Sequence, residues 1–542
     1  MEAMPRRTRA PRLAALILAA GLALAACAPT GVEQPEAAEV LTSDPGDPLT
    51  VIAEPAAHEA SVATSMALFD SSPLVVIAAS GDVEGQELSA RAAVRLGVPL
   101  LIAPGGTSTD PSPAATAAPM PALTTELQRL SATAALVVGD VPALAEEDGV
   151  PGVTVERIEP TASALRDAIG VAIGEPTAPD PAGFAAGIAA LSPERSPGLA
   201  DTVALAVDAV EHLAPIATAR AAGVPVHLVP PDSVDPRADA SVIDALHAAS
   251  ASRTLAIGPG FGAQPALDWQ VRAARSGFQL PGGGQLLFDE RQFVALYGTP
   301  GSSVLGVLGE QDAQASVQRA HEIAAAYAPL TDETVVPAFE IIATVAAAGP
   351  GPDGNYSNEL PVDGLRPWVD AAAAAGMYVV IDLQPGRTDF LTQAKLYQSL
   401  LELPHVGLAL DPEWRLEPDE VHLRQIGSVD AAEVNSVATW LADLTEEHGL
   451  PQKMLVLHQF RRDMIGDRQA LDLSRPELSV VVHVDGQGAP ADKQTTWAAM
   501  MRDAPAGLHW GWKNFYDEDL PMLTPEQTMA EVAPVPDLIT YQ

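Results

Sequence analysis

The feature that most constrains this chain lies in its second half, where eight apolar segments recur with amphipathic or Ala-rich stretches between most of them, at 293–297, 335–344, 378–383, 406–410, 454–458, 478–484, 507–512 and 537–541. Strands alternating with helices across residues 286–542 predict parallel β/α units, and eight of them predict a closed (β/α)8, TIM-type barrel. The span that fits this rhythm least is 459–476, where the connecting helix has to be short or irregular.

Residues 49–280 alternate short apolar runs with Ala-rich helical stretches, and three pieces of this pattern come twice in the same order. Residues 74–78 are answered by 202–206, 97–104 (Gly-Val-Pro followed by an apolar run) by 223–230, and 135–140 by 254–259. The repeat predicts a duplicated parallel α/β, Rossmann-like module ahead of the barrel. Pro281-Gly282-Gly283-Gly284 marks the boundary between them. The segments Ala79-Ser80-Gly81 and Arg95-Leu96-Gly97-Val98-Pro99 resemble the type 2 cell wall-binding repeat family. The resemblance implies non-covalent attachment to an anionic wall polymer; a spacer that merely inherits the fold is the competing reading.

At the N-terminus Arg6, Arg7, Arg9 and Arg12 precede an apolar run from Leu13 to Ala26 that is too short to span a bilayer. Leu24-Ala25-Ala26-Cys27 resembles the lipobox of bacterial lipoproteins, and the chain's single cysteine stands where that motif places its lipid-bearing thiol. The same stretch also suits Ala-x-Ala cleavage without a lipid. Residues 1–27 are thus expected to be a signal peptide with lipobox, and 28–48, rich in Pro, Glu, Ala and Thr, a flexible tether. These expectations place the protein at the extracellular face of the cell membrane. With 30 basic against 70 acidic side chains, nucleic acid and anionic lipid surfaces are poor partners, since both are bound through Lys and Arg.

Barrel chemistry sits at the carboxyl ends of the strands, where the loops converge on one mouth. The strand ends here carry Tyr297, Glu340, Asp382, Gln384, Asp411, Glu413, His458, His483, Asp485, Trp510, Trp512, Lys513 and Tyr541. In Leu410-Asp411-Pro412-Glu413-Trp414 the two carboxylates are two residues apart, which puts them on one side of a strand that persists that far; Pro412 works against this. Two facing carboxylates suit glycoside hydrolysis, one protonated as general acid and one ionised as base or nucleophile. The run is similar to the Asp-x-Glu that ends the fourth strand of several barrel glycosidases, muramidase-type wall hydrolases included. Asp411 and Glu413 are therefore the expected catalytic pair, with Glu340 and Asp382 as supporting carboxylates.

Gln384, Tyr297, Trp414, His458, His483, Asp485, Trp510, Trp512 and Tyr541 are expected to contact substrate, the aromatic faces packing against sugar rings. The expected substrate is a cell-wall polymer or extracellular polysaccharide, with no cofactor. Two alternatives stay open: a non-catalytic surface binder of the same polymers, and a metal-dependent hydrolase using His458, His483 and Asp485. No His-x-x-x-His or His-Glu-x-x-His spacing supports the metal reading.

Overall fold

The computed structural model describes residues 39–103, 119–141, 144, 150–170, 172–173, 184–191, 198–231, 233–249 and 251–542. Residues 1–27, expected to be a signal peptide with lipobox at Cys27, and residues 28–38 of the expected tether lie outside the described residues. Among those described, no helix is long and apolar enough to cross a membrane. The chain divides into two compact units, one formed by residues up to 235 with 245–268, the other by 236–244 with 269–542.

The first unit contains two four-stranded parallel sheets. One is built from β2 (Leu74–Ala79), β3 (Leu100–Ala103), β4 (Ala134–Val138) and β5 (Thr154–Ile158), in the order β3-β2-β4-β5. The other takes β6 (Thr202–Val207), β7 (Val226–Val229) and β8 (Arg253–Ile257) and completes itself with β1 (Leu49–Ile52), in the order β7-β6-β8-β1. The two orders are equivalent, so the internal repeat in the sequence is a repeat of topology. Its closure is not sequential, because the fourth strand of the second sheet precedes the first sheet in the chain, pairing Leu49 with Thr254. In both copies glycine supports the turn that predicted the repeat: Gly97 (φ +69°) and Gly223 (φ +84°) take the left-handed conformation after a helix. The helices Val83–Leu96 and Leu213–Ala221, one from each copy, pack together in a shared apolar core. Thr218 Oγ1 stitches the copies by accepting from Leu100 N at 3.1 Å.

The second unit is a closed barrel of eight parallel strands: β9 (Arg291–Gly298), β10 (Thr334–Ala346), β11 (Tyr378–Leu383), β12 (Val406–Leu410), β13 (Lys453–Gln459), β14 (Leu478–Val484), β15 (His509–Asn514) and β16 (Leu538–Tyr541). Closure is made by β9, which pairs with β10 on one side and β16 on the other. The predicted weak span after β13 holds no α-helix but short 3-10 turns at Arg462–Met464 and Arg468–Ala470 and a two-residue strand, Ile465–Gly466, paired with Val429–Asp430. Alternate residues of each strand separate two cores. Val294, Leu296, Phe339, Ile341, Ile381, Leu408 and Leu457 pack outward under the helices. Phe293, Ala295, Ala338, Val380, Ala409, Val456 and Val481 fill the lower interior, with Leu280 and Leu287 among them. The glycine run at 282–284 lies within this unit, where Gly282 O and Gly283 O accept from the Arg291 guanidinium.

Candidate functional site

The inward rhythm that is apolar low in the barrel turns polar near the mouth on every strand. Tyr297, Glu340, Asp382, Asp411, His458, His483, Lys513 and Thr540 come one from each strand or its immediate end, and all are buried. Above them opens a cavity of about 350 Å³ whose wall includes Tyr297, Gln384, Asp411, Glu413, Trp414 and Asp485. Lys513, Phe460, Gln487, Phe515 and Glu518 also line it.

Strand β12 stops at Leu410, and Asp411 caps the 3-10 turn Pro412–Trp414, its Oδ1 accepting from Glu413 N at 3.2 Å. Pro412 thus ends the strand as the sequence suggested, yet the turn still leaves both carboxylates on the cavity wall. Gln384 is held by Ala346 N, which donates to its Oε1 at 2.9 Å. Lys513 Nζ lies 3.5 Å from the centre of the Tyr297 ring, a cation over an aromatic face.

Beneath the cavity His458 is clasped between carboxylates. Its Nδ1 is 3.0 Å from Asp485 Oδ2 and its Nε2 2.8 Å from Glu340 Oε1. His483 Nδ1 lies 3.4 Å from His458 Nε2, and its Nε2 is 2.9 Å from Thr540 Oγ1. Tyr297 donates to Asp382 Oδ2 at 2.9 Å. In this cluster three carboxylate oxygens have no hydrogen-bond partner: Glu340 Oε2, Asp382 Oδ1 and Asp485 Oδ1.

This crowding sets the protonation states. Burial pushes Asp382 up to about 6, against the pull of His458. Burial also raises Asp411 well above the ordinary carboxylate range, with Asp382 and Asp485 adding to the rise. Glu413 is pushed up to about 6, first by burial and then by the charge of Asp485. Burial alone would strip the proton from His458, but Glu340, Asp382 and Asp485 together hold it well above its usual range. His483 is driven well below by burial and by the His458 charge. For Asp485 burial is outweighed by the His458 hydrogen bond and charge, which take it below the usual value. Two trios of donors stand close enough to share a cation, Glu340 with His458 and His483, and Asp411 with His458 and Asp485, each with its ligand atoms within 4.8 Å of one another.

Three sequence expectations need correction. Trp510 and Trp512 do not line the cavity; they point to the helix side of β15 and pack on Trp497, with ring centres 6.0 and 5.6 Å away. Tyr541 likewise faces outward, its hydroxyl 2.6 Å from that of Tyr327. The inward positions next to them are Lys513 and Thr540, and the period of two along each strand would have identified both. Glu340, Asp382, His458 and His483 do converge, but under the cavity floor, each 0% exposed.

No protein-family model matches the chain, and no curated protein matches it. Among solved structures, Cwp6 from Clostridium difficile is similar at 13% sequence identity over 73% of this chain and 68% of that one, with a TM-score of 0.27. A likeness of that size carries no argument about this chain.

Proposed function

We propose that this chain is a lipid-anchored protein of the outer cell surface whose barrel hydrolyses a glycosidic bond in a cell-wall or extracellular polysaccharide. The observation that carries the hydrolytic reading is the cavity wall itself, where Asp411, Glu413 and Asp485 meet at the barrel mouth with Trp414 beside them. Glu413 is the general acid: it is the half-buried member of the Asp-Pro-Glu turn and reaches the cavity directly. Asp485 is the base or nucleophile, one oxygen engaged by His458 Nδ1 and the other, Oδ1, without a partner. Asp411 braces the turn through Glu413 N. Trp414 supplies an apolar face for a sugar ring. The lipobox-like Cys27 and the strongly acidic charge support a tethered, exported protein that does not bind nucleic acid.

The test is reducing-end release from a panel of wall and extracellular glycans. The wild type is expected to turn over at least one of them, and Glu413→Gln and Asp485→Asn each to lower kcat by about 10²-fold or more, the usual contribution of a positioned acid or base. Full activity in both variants would sink the assignment. Glycan binding without release by the wild type would leave the non-catalytic surface binder as the function.

A further inference from the structure

Three groups under the cavity floor, Glu340, His458 and His483, are arranged as ligands are around an ion, with Asp382 beside them. His458 Nε2 is 2.8 Å from Glu340 Oε1, 3.4 Å from His483 Nδ1 and 4.0 Å from Asp382 Oδ1. His483 Nδ1 is 3.7 Å from Glu340 Oε2. A tetrahedral ion bound at about 2.0–2.2 Å sets its donors about 3.3–3.6 Å apart, and the observed separations bracket that range. Glu340 Oε2 and Asp382 Oδ1 have no hydrogen-bond partner although both residues are 0% exposed. A carboxylate oxygen buried without a partner is costly, and two of them beside two imidazoles call for a ligand.

The groups behind these four support the same reading. His458 Nδ1 faces Asp485 Oδ2, His483 Nε2 faces Thr540 Oγ1, and Tyr297 holds the other oxygen of Asp382. With each outer ring nitrogen donating its proton, an ion would displace any proton from the inner ones, His458 Nε2 and His483 Nδ1, which lie 3.4 Å apart. Carboxylate or hydroxyl partners that fix imidazole orientation in this way are the usual surroundings of metal-binding histidines. Imidazole donors favour a transition metal over calcium or magnesium, which prefer oxygen.

We propose that the barrel core binds one divalent transition-metal ion of the Zn2+ type through His458 Nε2, His483 Nδ1 and Glu340, with Asp382 Oδ1 at the edge of the site. All three ligands are fully buried and none of them lines the cavity, so the ion is a structural and electrostatic keystone under the cavity and not the seat of the hydrolysis. The alternative trio of Asp411, His458 and Asp485 offers a single imidazole, and both of its carboxylates line the open cavity. The ligands come from three strands, β10, β13 and β14, which is why no short sequence motif announces them.

The experiment measures the ion and its effect on unfolding, independently of any turnover. The purified full chain is analysed for metal by mass spectrometry, stripped with a chelator, and melted before and after addition of Zn2+ or Mg2+. One Zn2+ per chain is expected, with a Tm that falls on stripping and is restored by Zn2+ but not by Mg2+. Glu340→Gln should lose stoichiometric binding, and Thr540→Val, which touches only the support of His483, should weaken it by roughly 10–100-fold. Co2+ in the stripped wild type should show the visible absorption of a four-coordinate site, a readout that needs no variant to fold. The proposal is overturned if the stripped wild type takes up neither Zn2+ nor Co2+ stoichiometrically, or if Glu340→Gln binds as tightly as the wild type. Glycan hydrolysis that survives such a result leaves the proposed function intact while removing the ion.

Discussion

Lys493 offers the sharpest test of how the mouth of the barrel is held. It lies on the helix Pro490–Met501, 4% exposed, and its ammonium donates to Lys513 O at 2.6 Å and to Asp519 Oδ2 at 2.7 Å. Asp519 also accepts from Gly488 N at 2.9 Å and from Phe515 N at 3.0 Å. One buried ion pair therefore ties the loop after β14 to the loop after β15, and these two loops carry Asp485, Gln487, Phe515 and Glu518 of the cavity wall. Lys493→Met keeps an unbranched stem against Trp512 and Phe515 but removes the charge. It strands a carboxylate that is 2% exposed with only backbone N–H groups for company, and it leaves Lys513 O without this donor. Breaking a buried pair from one side costs about 3–5 kcal/mol, because the surviving charge is uncompensated.

Burial pulls the Lys493 pKa down more strongly than Asp519 raises it, so the intact pair contributes much less than its one-sided rupture costs. Asp519→Asn in the Lys493→Met background removes the stranded charge and should recover at least about 1.5 kcal/mol of the loss, a coupling typical of groups in direct contact. Urea unfolding followed by tryptophan fluorescence reads this well, since Trp497 and Trp512 adjoin the pair. A cost for Lys493→Met below about 1 kcal/mol, or effects of the two substitutions that add to within about 0.5 kcal/mol, would refute the reasoning.

Two further outcomes are expected. Glu413, raised to about 6, serves as general acid only while protonated, so the protonated fraction and with it kcat should fall roughly tenfold per unit once the pH is well above 6. A kcat that stays level from pH 5 to pH 8 would remove Glu413 from that role. For the anchor, expression in a bacterial host with radiolabelled palmitate should label the wild type and leave Cys27→Ser unlabelled and released from the membrane fraction; equal labelling of both proteins would end the lipoprotein reading.

The strands of the barrel were legible because each is a run of apolar residues set off by helical segments, and all eight expected segments overlap strands of the closed sheet. The duplicated module was legible through its Gly-Val-Pro turns, where glycine meets a conformational need that other residues meet at a cost. Its strand β1 was not, because Leu49–Ile52 is a four-residue run whose partner lies some two hundred positions further on, and no local period records such a pairing.

The site divides in the same manner. The Asp411 and Glu413 pair could be read because the two residues adjoin in sequence, whereas the cluster around His458 draws on four strands and exists only once the ring closes. The errors share one cause, which is the choice of chemically suggestive residues at strand ends without regard to side. Along β15, His483 crowds Gly511, so Gly511 and Lys513 share the interior while Trp510 and Trp512 meet the helix layer. Along β16, Thr540 reaches His483 while Tyr541 meets Tyr327. A single-residue shift in parity thus separates an apolar layer that holds the barrel together from the polar layer that gives its mouth a chemistry.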